Sequence, residues 1–167
     1  TLKPDAFGEV SAFGGSYNTQ RYTARFGTGL LPLQGDKGQR FSLDGRLSTI
    51  TSDGYIDRAT SDLKSYFLQG AWVGATRSLR FITFSGKEMT YQAWNGAPRE
   101  VVDTNRTYNE YTYDHQVDDY RQTHYQLLFD QKLGAHGTFN ATLFRVYGNG
   151  YFEQYRPDDE MATYGIA

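Results

Sequence analysis

Segments of about ten residues in which apolar and polar side chains alternate run the length of this chain. Short turns and longer, tyrosine-rich stretches separate them. The clearest is Arg40–Ser52. Phe41, Leu43, Gly45, Leu47 and Thr49 fall on one face, and Ser42, Asp44, Arg46 and Ser48 on the other. Successive side chains of a strand point to opposite faces, so this strand meets two different solvents. A transmembrane β-strand needs about 9–11 such residues, apolar toward lipid and polar toward a lumen. The pattern predicts seven strands and the start of an eighth: roughly Ala6–Phe13, Arg21–Leu31, Arg40–Ser52, Lys64–Gly74, Ser78–Ala93, Arg121–Leu133 and Thr138–Tyr151. In Leu79–Phe84 and Thr142–Val146 both faces carry large apolar groups. A bulge and lumenal packing against another element both fit those two stretches.

The connections carry a second signal. In chain order the even ones are short: Pro32–Gln39, Ala75–Arg77 and Gly134–Gly137. The first, Gly14–Asn18, is also short. From the third onward the odd ones are longer and more polar: Asp53–Leu63, Asn95–Tyr120, and Asn149 onward. In an up-and-down meander all odd connections lie at one end and all even ones at the other. Short turns on one side and long loops on the other are the pattern of an outer-membrane barrel, and a soluble sandwich has no reason to sort its loops so. The expected fold is all-β: an antiparallel up-and-down transmembrane β-barrel, with 1–167 forming part of one barrel domain.

Composition changes this picture little. A length of 167 residues fits one domain or part of one. Mean hydropathy is −0.66, and no apolar run approaches the roughly 18 residues of a membrane helix. Barrel strands give only a weak hydropathy signal, so neither fact excludes the membrane. The chain has 14 Tyr, 11 Phe and 18 Gly. Tyrosine favours membrane interfaces, but a soluble β-sandwich is equally rich in Tyr and Gly. Cysteine is absent, which excludes disulfides, thiolate metal sites and cysteine nucleophiles. No basic excess points to nucleic acid. No secretory leader stands at Thr1, so the chain reads as mature, internal or cut.

Charge is unevenly placed. Asn95–Tyr120 holds Arg99 and Arg106 against Glu100, Asp103, Glu110, Asp114, Asp118 and Asp119, a net −4 with His115 neutral, in a chain of net −2. Most of these carboxylates read as the charges of a solvated surface loop.

The segment Ser52-Asp53-Gly54-Tyr55-Ile56-Asp57-Arg58 resembles the barrel of TonB-dependent outer-membrane receptors. The similarity continues through Gly27-Thr28-Gly29-Leu30-Leu31, Asp44-Gly45-Arg46-Leu47-Ser48, Phe84-Ser85-Gly86-Lys87-Glu88 and Thr90-Tyr91-Gln92-Ala93-Trp94-Asn95-Gly96. It extends to Arg106-Thr107-Tyr108-Asn109, Asp118–Gln126 and Gly148–Tyr155, so it covers nearly the whole chain. Its order is that of the first third of such a barrel, just after the plug domain. The resemblance implies a 22-stranded barrel whose lumen holds a plug. It also implies uptake of an iron-siderophore, haem or cobalamin across the outer membrane of a Gram-negative bacterium, driven through TonB. The implied partners are outer-membrane lipid, the plug and remaining strands, the TonB complex, a surface lipoprotein, and the metal chelate or vitamin itself. This chain departs from the family in having no plug region before Thr1, too few strands, and an end at Ile166-Ala167 rather than at an aromatic. The expectation is a fragment of the larger barrel.

Few residues point to chemistry. His115, His124 and His136 fall in a long loop, a strand and a short turn, which argues against a histidine-based triad, and nothing arranges a nucleophile, base and oxyanion site. The chain reads as a transporter rather than an enzyme, with no catalytic residue, no bound metal and no cofactor. Asp118-Asp119 and Asp158-Asp159-Glu160 lack the spacing of a known calcium loop. Aromatics at loop bases are better candidates, because flat amphipathic rings grip bulky ligands at low entropic cost. Tyr108, Tyr111, Tyr113, Tyr120, Tyr151 and Tyr155 are the candidate ligand contacts, and Tyr91 and Trp94 fit an aromatic girdle or loop packing. Arg25, Asp44, Arg46, Gln122, His124 and Gln126 are expected on the lumenal face, with Arg25, Asp44 and Arg46 pairing with one another or with a plug. Two other readings stand beside this one: a complete eight-stranded outer-membrane barrel of structural or adhesive role, and a soluble β-sheet binding module.

Overall fold

The computed structural model describes residues 2–33 and 38–166. It is a single antiparallel sheet of eight strands among the described residues. They are β1 (Phe7–Gly15), β2 (Thr19–Gly27), β3 (Leu31–Pro32), β4 (Arg40–Ser52), β5 (Ser61–Val73), β6 (Arg77–Tyr91), β7 (Val117–Leu133) and β8 (Gly137–Phe152). Each long strand pairs with the next along the chain, in the order β1-β2-β4-β5-β6-β7-β8, and the two-residue β3 pairs with β4. Among the described residues the sheet does not close: β1 pairs only with β2 and β8 only with β7.

The predicted strands are all present, with β4 at its predicted bounds. The second is shorter than expected. It ends at Gly27, because Gly29 turns into the left-handed region (φ 68°), where a Cβ would meet the Pro4 carbonyl at 2.6 Å. Leu31–Pro32 then resumes as a separate strand. Residues 34–37 of the expected Pro32–Gln39 turn lie outside the described residues, as does Ala167. No strand follows Phe152 among the described residues; where the start of an eighth was expected, the chain makes a one-turn 3-10 helix, Met161–Tyr164. Pairing runs without interruption along β6–β7 and β7–β8, so neither doubly apolar stretch is a bulge. Instead Phe84 stacks flat on His124 across the strand boundary, ring centroids 4.4 Å apart.

Register sorts the side chains into two faces. Val10, Ala24, Leu47, Tyr66, Ser85, Thr123 and Tyr147 form one continuous row across the sheet. On the same face, toward the short turns, lie Phe41, Trp72, Leu79 and Phe129, and beside them Leu43, Phe81, Leu127 and Leu143. The opposite face is mixed. It carries Arg25, Arg46, Phe67, Phe84, His124 and Val146 in one row and Asp44, Gln69, Ile82, Gln126 and Phe144 in the next.

Such a sheet has no core of its own. Ala71 and Tyr111 are the only buried hydrophobic side chains among the described residues. The accessible surface is 12056 Å², against about 8,400 Å² for a compact monomer of this mass. Within the single layer, local packing holds the register. Three aromatic rings lie over glycines directly across a strand pair: Phe7 over Gly27, Phe26 over Gly45 and Tyr120 over Gly150. A ring laid over a cross-strand glycine covers backbone that would otherwise be bare and pins the pairing.

Gly45→Val tests this device, because a Cβ at Gly45 would stand 2.4 Å from the Phe26 ring. The expected cost is about 1–3 kcal/mol of overpacking, seen as a lower thermal midpoint by circular dichroism. An unchanged midpoint would mean that the ring is not seated on Gly45.

Candidate functional site

The long connections converge at one end of the sheet and build a structured cap. The β4–β5 loop turns on Gly54 (φ 77°), where any Cβ would strike the Ala59 carbonyl oxygen at 2.1 Å. Arg58, also left-handed (φ 66°), then aims its guanidinium across the end of the sheet. It donates from Nε to the Tyr111 carbonyl (2.8 Å) and from Nη2 to the Asn109 carbonyl (2.9 Å). A left-handed arginine is uncommon and costs backbone strain; here two charge-assisted hydrogen bonds hold the β6–β7 loop in return. The Ser52–Arg58 segment therefore acts as an anchor for its neighbour.

Asn109 completes the anchor. It is buried, donates from Nδ2 to the carbonyls of Asp57 (2.8 Å) and Gln92 (3.0 Å), and accepts the Tyr111 amide at Oδ1 (3.1 Å). The Asp57 amide in turn donates to the Thr107 carbonyl (2.7 Å). Gln92, fully buried, reaches the other way: its Nε2 donates to the carbonyls of Val117 (3.2 Å) and Glu153 (2.8 Å). Gln116 accepts the Tyr113 amide (2.9 Å). The side chains of Arg58, Asn109 and Gln92 thus tie together the β4–β5 loop, the β6–β7 loop and the segment after β8. The β6–β7 loop also contains a single helical turn, Arg99–Val102, which the pattern did not predict.

The six candidate tyrosines do not form one surface. Tyr113 and Tyr155 stack, centroids 5.1 Å apart and planes at 23°, with His115 edge-on to Tyr113 at 5.7 Å. Tyr108 is exposed beside them in sequence. Tyr111 is buried, 8% exposed, as the hydrophobic centre of the loop cap; it supports the surface rather than forming it. Tyr120 lies over Gly150 on the mixed face, and Tyr151, paired with Asp119, projects from the apolar face. Tyr91 donates from its hydroxyl to the Tyr113 carbonyl (2.8 Å), and Trp94 packs edge-on to Phe152 at 5.7 Å. Both therefore take part in loop packing. Beyond Tyr155, Tyr164 donates to the Asp159 carboxylate, a contact that raises the hydroxyl above its ordinary pKa.

All six residues expected on the polar face share one face: Arg25, Asp44, Arg46, Gln122, His124 and Gln126. Of the two expected pairings for Arg25, Asp44 and Arg46, with one another or with a plug, the first is not made among the described residues. Arg25 stands directly opposite Arg46 and pairs with Glu9 at 3.5 Å, not with Asp44. Asp44 Oδ2 is buried with no hydrogen-bond partner among the described residues. The separation of the histidines follows the topology: His115 sits in the loop cap, His124 mid-sheet, and His136 in the β7–β8 turn at the far end. Among the described residues no three His, Asp or Glu side chains cluster as metal ligands.

Arg58, Asn109, Gln92 and Gln116 escaped the sequence reading as functional residues. They carry no periodic signal. No protein-family model, curated protein or solved structure matches the chain.

Asn109→Ala removes three hydrogen bonds inside the cap. Unpaired buried groups cost about 1–3 kcal/mol each, which exceeds what a loop of this kind holds in reserve. The expected result is protease nicking between residues 95 and 116 with the strands still protected. Protease resistance equal to wild type would show that the cap is held by other contacts.

Proposed function

We propose that this chain is part of the wall of an outer-membrane barrel of the TonB-dependent receptor type, taking up a metal chelate or a similarly bulky nutrient. The observation that carries the membrane reading is the slope of the polar boundary on the apolar face. Arg77 and Gln131 mark the short-turn end of this face; beyond them, moving toward the long loops, the polar or charged positions that end the apolar zone are Gln20 on β2, Thr49 on β4, Lys64 on β5, Ser85 on β6, Thr123 on β7 and Arg145 on β8. Thr83 lies below this line but is buried against the Tyr66 hydroxyl (3.5 Å). Measured against the row through Leu47, Gln20 lies four residues beyond it and Arg145 two residues short of it. That drift is about 20 Å along the strands over five strand spacings, or about 24 Å. The boundary therefore crosses the strands at a slope of about 40°, the tilt of strands in transmembrane barrels. A soluble single-layer sheet has no reason to place a planar solvent boundary oblique to its strands.

Three further features support the reading. Backbone edges in lipid must be paired, and the open edges of β1 and β8 call for additional strands. The mixed face, with its arginines and the unpartnered Asp44 oxygen, suits a lumen filled by another element. The loop cap presents Tyr108, Tyr113 and Tyr155 on a braced platform at the long-loop end, where a bulky ligand would arrive.

The test uses the full-length protein from outer membranes. The expected denatured mass is several times the 19.0 kDa of this chain, and uptake of labelled ferric chelate should stop when the proton gradient is collapsed. Tyr113→Ala with Tyr155→Ala should weaken chelate binding about ten- to thirtyfold. An outer-membrane species of about the chain's own mass would instead leave the small eight-stranded barrel, and a protein soluble without detergent would leave a β-sheet binding module.

A further inference from the structure

Register places Lys64, Lys87 and Arg121 side by side on three adjacent strands of the apolar face. Neighbouring strands are about 4.8 Å apart, so the three cations fall within about 10 Å. Like charges directly opposite one another destabilise a sheet. The compensation is incomplete: Lys64 pairs with Asp62 at 3.0 Å and Lys87 with Asp119 at 3.3 Å, while Arg121 makes no ion pair among the described residues. All three are exposed.

Next to this row, on its short-turn side, is a groove of about 570 Å³ with Val10, Ala24, Leu47 and Tyr66 among its walls and the three cations on its rim. One wall is apolar enough for a hydrocarbon chain, and the adjoining edge carries three positive charges. We propose that this groove and cation row bind a phosphate-bearing lipid, its acyl chain along the groove and its phosphate across Lys87 and Arg121. The proposal rests on the membrane reading above, which puts the row just beyond the apolar zone on the long-loop side, at headgroup depth. Arginine's planar fork matches phosphate oxygens two at a time, lysine adds a point charge, and long basic side chains reach from an apolar surface to the headgroup layer. Arg121, which makes no ion pair among the described residues, leaves a positive charge beside the apolar groove for such a ligand to neutralise.

The test is lipid binding to the full-length, detergent-purified protein by native mass spectrometry, titrating dimyristoyl phosphatidic acid against dimyristoyl phosphatidylcholine. Wild type should prefer the phosphatidic acid by at least about tenfold. K64Q/K87Q/R121Q should lose that preference. R21Q/R25Q/R46Q, which removes the same charge from the opposite face, should keep it. K64R/K87R/R121K, which keeps the charges, should also keep it and controls for folding. Retention of the preference in K64Q/K87Q/R121Q, or its absence in wild type, would overturn the proposal. So would full displacement of the lipid by inorganic phosphate at equal concentration, which would mark a free-anion site. Failure of the protein to sediment with membranes would instead strike the barrel reading itself.

Discussion

Everything in this structure depends on the single-layer sheet having two faces and no core. Burying apolar surface is the main favourable term in folding, yet here only Ala71 and Tyr111 are buried hydrophobic side chains among the described residues. Leu47, Leu143 and Phe144 stand 60–72% exposed. Burial within the layer therefore offsets little of the entropy of ordering it. The alternation of side chains gives the layer one mainly apolar face and one mixed face, each left for something else to cover. The backbone ladder supplies the order, and the surroundings supply the favourable solvation.

That dependence explains why register matters so much. A slip of one residue would exchange the faces of a whole strand, placing Arg46 among leucines and Leu47 among charges. The cross-strand rings over Gly27, Gly45 and Gly150 resist such a slip with contacts internal to the layer. They make up for the absence of a second layer whose side chains would lock the strands from above.

The strands were legible in the sequence because period two is a local signal: Arg40–Ser52 can be bounded from its own residues. The end of the second strand was not, since it depends on Gly29 meeting the backbone at Pro4, a contact between segments 25 residues apart. The faces of β6 were ambiguous for a similar reason. Phe84 sits on the mixed face because His124, on the next strand, offers a flat ring to stack against. The candidate site was legible only as a type. Tyrosines in a long loop suggested an aromatic surface, but which of them face outward is decided by the polar clasp of Arg58, Gln92 and Asn109. That clasp joins three segments far apart in the chain and leaves no periodic trace. So Tyr111, alike in sequence to Tyr113, is interior, while Tyr113 is on the surface.

The two faces also differ in how their charges are left. On the apolar face the excess is positive: a row of three cations with two acids beside it, and Arg77 and Arg145 elsewhere on the face. On the mixed face Arg25 and Arg46 stand opposite each other, Glu9 answers one of them, and Asp44 Oδ2, like Asp62 Oδ1 on the apolar face, is buried without a hydrogen-bond partner among the described residues. Two arginines side by side attract an acid from outside the sheet, while a buried carboxylate oxygen requires a donor. One element carrying both an acid and a donor satisfies both needs at once. The two faces therefore ask for different chemistries from whatever covers them: apolar groups and anions on one, and a polar, charge-bearing surface on the other.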